Sequence, residues 1–193
     1  VFLTSLGLLS ARDQICYANL NVKFGGAYCG MSDALDGASH HATEDIAFMR
    51  ALPNMKVIAP ADAAAARWAT KYAVENYGPM YLRLSREVYP DLYTEDTKFE
   101  LGKGAIVRDG SDVTVIACGI MVHKALEAAK ILEERLISVR VVDMYSIKPI
   151  DRELIVKCAK ETGAIVCAEE HNIHGGLGSA VSEVLAYEGC GVP

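Results

Sequence analysis

The strongest constraint on the fold lies between residues 55 and 84. Met55-Lys56-Val57-Ile58 is a short apolar run stopped by Pro60. Asp62 then opens an alanine-rich stretch of high helix propensity through Trp68, Ala69, Tyr72 and Ala73, and Gly78-Pro79 ends it. Met80-Tyr81-Leu82-Arg83-Leu84 is a second apolar run. Strand, helix and strand in this order form a crossover unit. It implies a parallel sheet covered by helices. Upstream, Asn21-Val22-Lys23-Phe24 reads as strand leading into a Gly25-Gly26 turn. Ile46, Phe48, Met49 and Leu52 give Thr43 to Leu52 a helical spacing that stops at Pro53.

The character changes over 87–103, which is polar and has no clear period, as expected of a linker. Beyond it the alternation restarts. Ala105-Ile106-Val107 meets a turn at Asp109-Gly110, and Val113 to Ala117 is a continuous apolar strand. Val122, Ala125, Leu126, Ala129 and Leu132 mark one helix face. Val139 to Met144 is a strand, Ile150-Asp151 starts a helix through Ala159, Ala164 to Ala168 is a strand, and a last helix follows Gly178. The expected fold class is α/β, with two parallel or mostly parallel domains at 1–87 and 104–193 joined by a linker at 88–103.

Composition narrows the function. The 193 residues are 51% hydrophobic and 23% charged, as in soluble globular proteins. No apolar run approaches the ~18 residues that span a membrane. An excess of 25 Asp and Glu over 19 Lys and Arg argues against nonspecific nucleic-acid binding. The six cysteines show no C-x-x-C spacing and read as reduced structural thiols of a cytoplasmic protein.

In open parallel sheets, ligands bind beyond the carboxyl ends of strands. Four segments fall there. Asp36-Gly37-Ala38-Ser39-His40-His41 combines a carboxylate, a hydroxyl and two imidazoles, suited to proton transfer and hydroxyl binding. A capping turn built on Ser39 or Thr43 explains it equally well. Adjacent histidines do not suit one metal ion, and no metal ligand is assigned. Arg86, just past a strand tip, can fork onto a phosphate or pair with a surface carboxylate. Glu169 to Ala180 carries a Gly-rich turn between strand and helix. It fits neither G-x-G-x-x-G nor a P-loop, so close helix packing competes with a phosphate cradle. Lys148-Pro149 reads as a loop before a helix, with Asp151 in its first turn, and is assigned structure.

The order of these segments resembles one family. Asp36 to Ala47, Met49 to Met55 and Pro60-Ala61-Asp62 resemble the pyrimidine-binding domain of transketolases. Ser146 to Asp151, Glu169 to Asn172 and Gly176 to Ala180 resemble the transketolase C-terminal domain. The closest likeness is to the C-terminal section, the smaller chain of enzymes split into two subunits. The resemblance implies a thiamine diphosphate enzyme moving a two-carbon ketol unit between sugar phosphates. It implies that His40 is catalytic, that Asp36 binds a donor hydroxyl, and that Arg86 holds the substrate phosphate. Tyr28 stands where the family has a substrate-binding His, and Leu6 and Leu9 stand where aromatic residues wall the pyrimidine. The diphosphate and Mg2+ are expected on another domain or an N-terminal, diphosphate-binding transketolase subunit, in a homodimer or heterotetramer.

The resemblance also implies missing parts. The chain begins Val1-Phe2-Leu3 without Met, and the family's activating Glu precedes the region present. The first domain is expected to lack its N-terminal part and the second its C-terminal end. Alone, the chain is expected to be inactive. Two other readings are a 1-deoxyxylulose-5-phosphate synthase-like enzyme and a noncatalytic assembly module that kept the fold.

Overall fold

The computed structural model describes residues 1–32 and 34–193. Two short helices, α1 (Phe2–Ser5) and α2 (Leu8–Ser10), run into a π-helical turn at Ala11–Cys16 and then strand β1 (Lys23–Gly26). The expected Gly25-Gly26 turn is instead the end of this strand. Gly26 is needed there because the Tyr81 ring occupies the space a side chain would fill. Helix α3 (Asp45–Ala51), β2 (Lys56–Ile58), α4 (Ala63–Glu75) and β3 (Met80–Arg83) complete the first half. Helix α4 starts where the sequence predicts, with Asp62 Oδ1 accepting the Ala65 N–H at 2.8 Å.

The second half holds β4 (Ala105–Arg108), β5 (Val113–Ala117), α5 (Ile120–Glu133), β6 (Val139–Asp143), β7 (Ser146–Lys148), α6 (Arg152–Thr162), β8 (Ile165–Ala168) and α7 (Leu177–Glu188). Its sheet runs β4-β6-β5-β8, parallel except for β4 against β6. Helix α6 is capped by Asp151, whose Oδ1 accepts the Leu154 N–H at 3.0 Å.

The other sheet runs β1-β3-β2-β7. Its first three strands are parallel, as the crossover requires, but β7 comes from the second half and lies antiparallel to β2. Lys148, expected to lie in a loop before a helix, is therefore the last residue of the strand that closes the first half's sheet. Lys148 explains part of this placement. Its Nζ donates to the carbonyls of Arg50 and Leu52 at 2.7 and 2.5 Å, covering the C-terminus of α3. The core is shared accordingly. Ile46, Met49, Val57 and Tyr81 of the first half pack in one cluster with Val142, Met144, Ile147 and Leu177 of the second. Each large apolar side chain contributes about 1.5–3 kcal/mol when fully buried, so parting the halves is costly.

Residues 88–103 contain no helix or strand, yet they are tied to both halves. Asp62 Oδ2 accepts the N–H groups of Leu92 and Tyr93 at 3.0 and 2.8 Å. Phe99 packs edge-on against Tyr93 and Tyr145, at centroid distances of 4.9 and 5.3 Å. The Tyr93 hydroxyl donates to Asp143 Oδ2 at 2.8 Å. Among the described residues no helix is long and apolar enough to cross a membrane.

Asp143 is the costly member of this arrangement. It is fully buried at the end of β6, and its Oδ1 has no hydrogen-bond partner among the described residues. Burial pushes its carboxyl up to about 8; the Tyr93 hydrogen bond pulls it down and nearby Asp62 pushes it up. An unfolded Asp ionises near pH ~4. Between these values unfolding releases a proton, so rising pH weakens the fold by at most about 1.4 kcal/mol per unit. The Asp143→Asn variant lacks this titration. Urea unfolding from pH 5 to pH 9 should show wild type losing stability relative to D143N up to about pH 8, then running level. A flat difference would mean that Asp143 is ionised throughout.

Candidate active site

The site is built at the carboxyl end of β1 and β3. Beyond β1 the chain passes Tyr28 and reaches Gly30, which pairs with Ala42 as an isolated antiparallel bridge. Both N–H to carbonyl bonds of the bridge are 3.0 Å. The bridge ties together the residues that flank the Asp36–His41 motif. Two 3-10 turns lie between them, Ala34–Asp36 and Ala38–His40, separated by Gly37 at φ +75°. The Asp36–His41 motif is thus a loop structure of its own. Neither Ser39 nor Thr43 caps a helix: α3 begins at Asp45 behind Glu44, which makes no side-chain cap.

The loop brings most of the sequence candidates together. A cavity of about 280 Å³ is lined by Phe2, Leu3, Gly25, Tyr28, Asp36 and His40, among others. Phe2 packs edge-on against the His40 ring at 5.1 Å, and Ser39 Oγ lies 3.1 Å from His40 Nδ1. The Arg86 guanidinium sits 5.3 Å over the Tyr28 ring and 3.9 Å from the Asp36 carboxylate. Its main-chain N–H donates to Ser32 Oγ at 3.3 Å. Asp36, Tyr28, His40 and Arg86 therefore share one neighbourhood. Leu6 and Leu9 do not join it. They are 81% and 69% exposed, and Phe2 with Leu3, earlier in the chain, forms the apolar wall. Phe2 was missed because contact with His40 depends on how α1 folds back, which no local pattern encodes.

Beneath the loop is a buried polar floor. Asp45 Oδ2 accepts from the Tyr81 hydroxyl at 2.7 Å and from Arg83 Nε at 2.8 Å, and Oδ1 accepts from Arg83 Nη2 at 3.1 Å. Arg83 Nη2 also donates to the carbonyls of Ala42, at the loop's end, and Glu170, at 3.3 and 2.9 Å. The Arg83 and Asp45 side chains are 3% and 0% exposed. Burial, and next the Asp45 charge, push the Tyr81 phenol well up, so it acts as a donor. Arg83 stays charged because Asp45 outweighs the burial that opposes it. The sequence signal was available: an Arg in an otherwise buried strand demands a buried carboxylate.

The Gly-rich turn has a different role from a phosphate cradle. Glu169 places its carboxylate on the N-terminus of α7, accepting the N–H groups of Leu177 and Gly178 at 2.6 and 2.8 Å. The anion position is filled by the chain's own residue. The rest of the motif fastens the halves together. His171 Nε2 accepts the Ala47 N–H at 3.3 Å, and the Asn172 side-chain amide donates to the Thr43 carbonyl at 2.8 Å. Arg50 donates to the Gly175 carbonyl at 2.7 Å. Gly175, at φ +75°, has no room for a side chain, since a Cβ would lie 2.6 Å from that of Ala47. The cysteines are free thiols among the described residues, and burial pushes those of Cys29 and Cys167 up to about 11, away from nucleophilic use.

Comparison with known proteins agrees with this architecture. Residues 1–91 match the transketolase pyrimidine-binding domain and residues 102–191 the transketolase C-terminal domain. The chain is 45% identical over 180 residues to a putative transketolase C-terminal section of Methanocaldococcus jannaschii, covering 92% of this chain and 56% of that protein. It is 41% identical over 186 residues to one subunit of the apulose-4-phosphate transketolase of Phocaeicola vulgatus, covering 96% of this chain and 60% of the relative. A solved structure described as a split gene transketolase, inactive beta4 tetramer, superposes with a TM-score of 0.92 at 50% identity, over 100% of this chain and 62% of that one. The chain thus spans little more than half the length of these relatives. With both halves matched and the whole fold superposing, the chain belongs to the transketolase family, of which it carries the pyrimidine-binding and C-terminal domains.

Proposed function

We propose that the chain supplies one side of a transketolase active site that transfers a two-carbon ketol unit between sugar phosphates. A diphosphate-binding domain or subunit completes it. The observation that carries this reading is the meeting of Asp36 and His40 at one cavity, with Arg86 set beside it against Asp36 and Tyr28. The family generally uses thiamine diphosphate and a divalent metal, and the residues here suit one end of that cofactor. Phe2 and Leu3 give the cavity an apolar wall, and a Cβ on Gly25 would meet nothing within 4 Å, leaving bare backbone for a flat ring. The Gly-rich turn offers the diphosphate no seat, because Glu169 already occupies the N-terminus of α7. We place the diphosphate and Mg2+ on the partner. That division agrees with relatives named as a C-terminal section and as one subunit of a transketolase.

When bound, thiamine diphosphate supplies the carbanion chemistry. The chain's own residues orient the sugar and move protons. Arg86 presents a planar fork to the substrate phosphate. It stacks on Tyr28 and pairs with Asp36, both of which line the cavity. Asp36 accepts a hydrogen bond from a donor hydroxyl. His40, held between Phe2 and Ser39, passes a proton to or from the reacting oxygen.

The subunit alone, supplied with thiamine diphosphate, Mg2+ and sugar phosphates, should show no ketol transfer. Mixed with a diphosphate-binding transketolase subunit, it should turn over. In the mixed enzyme His40→Ala should lower kcat by about 10²–10⁴, the usual contribution of a positioned proton donor. Arg86→Ala should raise KM for phosphorylated substrates about 10- to 100-fold, the loss of a charged hydrogen bond, with a smaller effect on kcat. Steady-state assays with phosphorylated and unphosphorylated sugars separate the two. Turnover by the chain alone, or an R86A variant with unchanged KM, would overturn the proposal.

A further inference from the structure

Glu170 belongs to the second half of the chain, just beyond β8, but it ends against the site loop. Its main-chain carbonyl accepts from Arg83 Nη2 at 2.9 Å. Its side chain lies against Gly30, the residue that forms the Gly30–Ala42 bridge. A Cβ on Gly30 would sit 2.6 Å from the Cβ of Glu170, so loop backbone and carboxyl side chain are in direct apposition. Oε1 accepts the Met31 N–H at 3.4 Å, the one hydrogen bond of this carboxylate among the described residues. Oε2 is buried without a partner among them.

This is a costly way to pack two halves. A carboxyl group withdrawn from water and only partly satisfied loses free energy. Burial raises its proton affinity above the ordinary value; the Met31 N–H and Arg83 work against this, and Glu87 and Asp45 add to it. Among the described residues its carboxylate makes no hydrogen bond within the second half. What it touches is the first hinge of the 31–41 segment, and the second hinge, Ala42, is held by Arg83. Both hinges are thus gripped by one cluster, at Glu170 and Arg83.

We propose that Glu170 is a positioning residue: its carboxylate, reaching over from the C-terminal domain, fixes the Gly30–Met31 hinge and so sets where Asp36 and His40 stand. The role of those two residues rests on the function proposed above; the anchoring does not. A domain that, among the described residues, gives none to the cavity lining thereby shapes the loop beside it.

Amide hydrogen exchange on the full subunit tests this directly. In Glu170→Ala, peptides covering residues 28–42 should exchange about tenfold faster, as expected when a local opening loses one charge-assisted hydrogen bond. Peptides covering β5 and β6 should keep wild-type rates. Glu170→Gln retains the acceptor and the volume and should restore protection to within about threefold. Glu170→Asp, which keeps the charge but withdraws it by one methylene, should fall between and serves if the Ala variant does not fold. Unchanged exchange over 28–42, a rise spread evenly over the whole chain, or a Gln variant as unprotected as Ala overturns the inference. Turnover of the mixed enzyme reads the other claim: absent ketol transfer in wild type would sink the functional reading and leave the exchange result standing.

Discussion

The Asp45–Arg83 ion pair is the interaction on which the rest of the structure depends. Two charges are withdrawn from water at the end of β3, where attraction alone does not repay desolvation. The cost is met by hydrogen bonds that reach in every direction. Tyr81 donates to the carboxylate, and the guanidinium reaches the carbonyls of Ala42 and Glu170. The pair therefore fixes four things together: the tip of β3, the start of α3, the end of the site loop and the approach of the second half. Removing either partner leaves a buried charge unpaired, at about 3–5 kcal/mol. Its importance lies in this registration more than in net stability.

That registration explains why two α/β halves behave as one scaffold. Strand β7 completes the first sheet, Lys148 covers the end of α3, and His171 with Asn172 holds its beginning. The segment 88–103 adds an aromatic seam from Tyr93 and Phe99 to Tyr145. Phe2, Tyr28 and Asp36 are exposed where they line the cavity, which suits the proposed completion of the site by another domain.

Local physics was readable in the sequence where one element decides its own fate. Asp62 and Asp151 cap their helices, and the crossover from Met55 to Leu84 folds as a parallel unit, because propensity, capping and period agree there. Reading failed where a distant residue decides. Gly25-Gly26 has the composition of a turn, and only the Tyr81 ring, far along the chain, explains why the space beside Gly26 must stay empty. Ser146-Ile147-Lys148 is too short to show a period, and its partner lies about 90 residues away in β2. The Gly-rich turn, by contrast, packs closely as one of its two sequence readings held, with no room beside Gly175 for a side chain and the Glu169 carboxylate on the helix terminus. In the site, Asp36, His40 and Arg86 were reached through family resemblance. Phe2, Tyr81 and Glu170 required the three-dimensional arrangement.

The central claim is that this chain holds the ring end of a cofactor whose diphosphate end is held elsewhere. Equilibrium titration of thiamine diphosphate with Mg2+ tests it most directly, using calorimetry on the subunit alone and on its mixture with a diphosphate-binding transketolase subunit. The account predicts no saturable binding to the subunit alone and saturable binding to the mixture, weakened when Phe2 is replaced by Ala. Equal affinity for the isolated subunit, or no binding by the mixture, would contradict it.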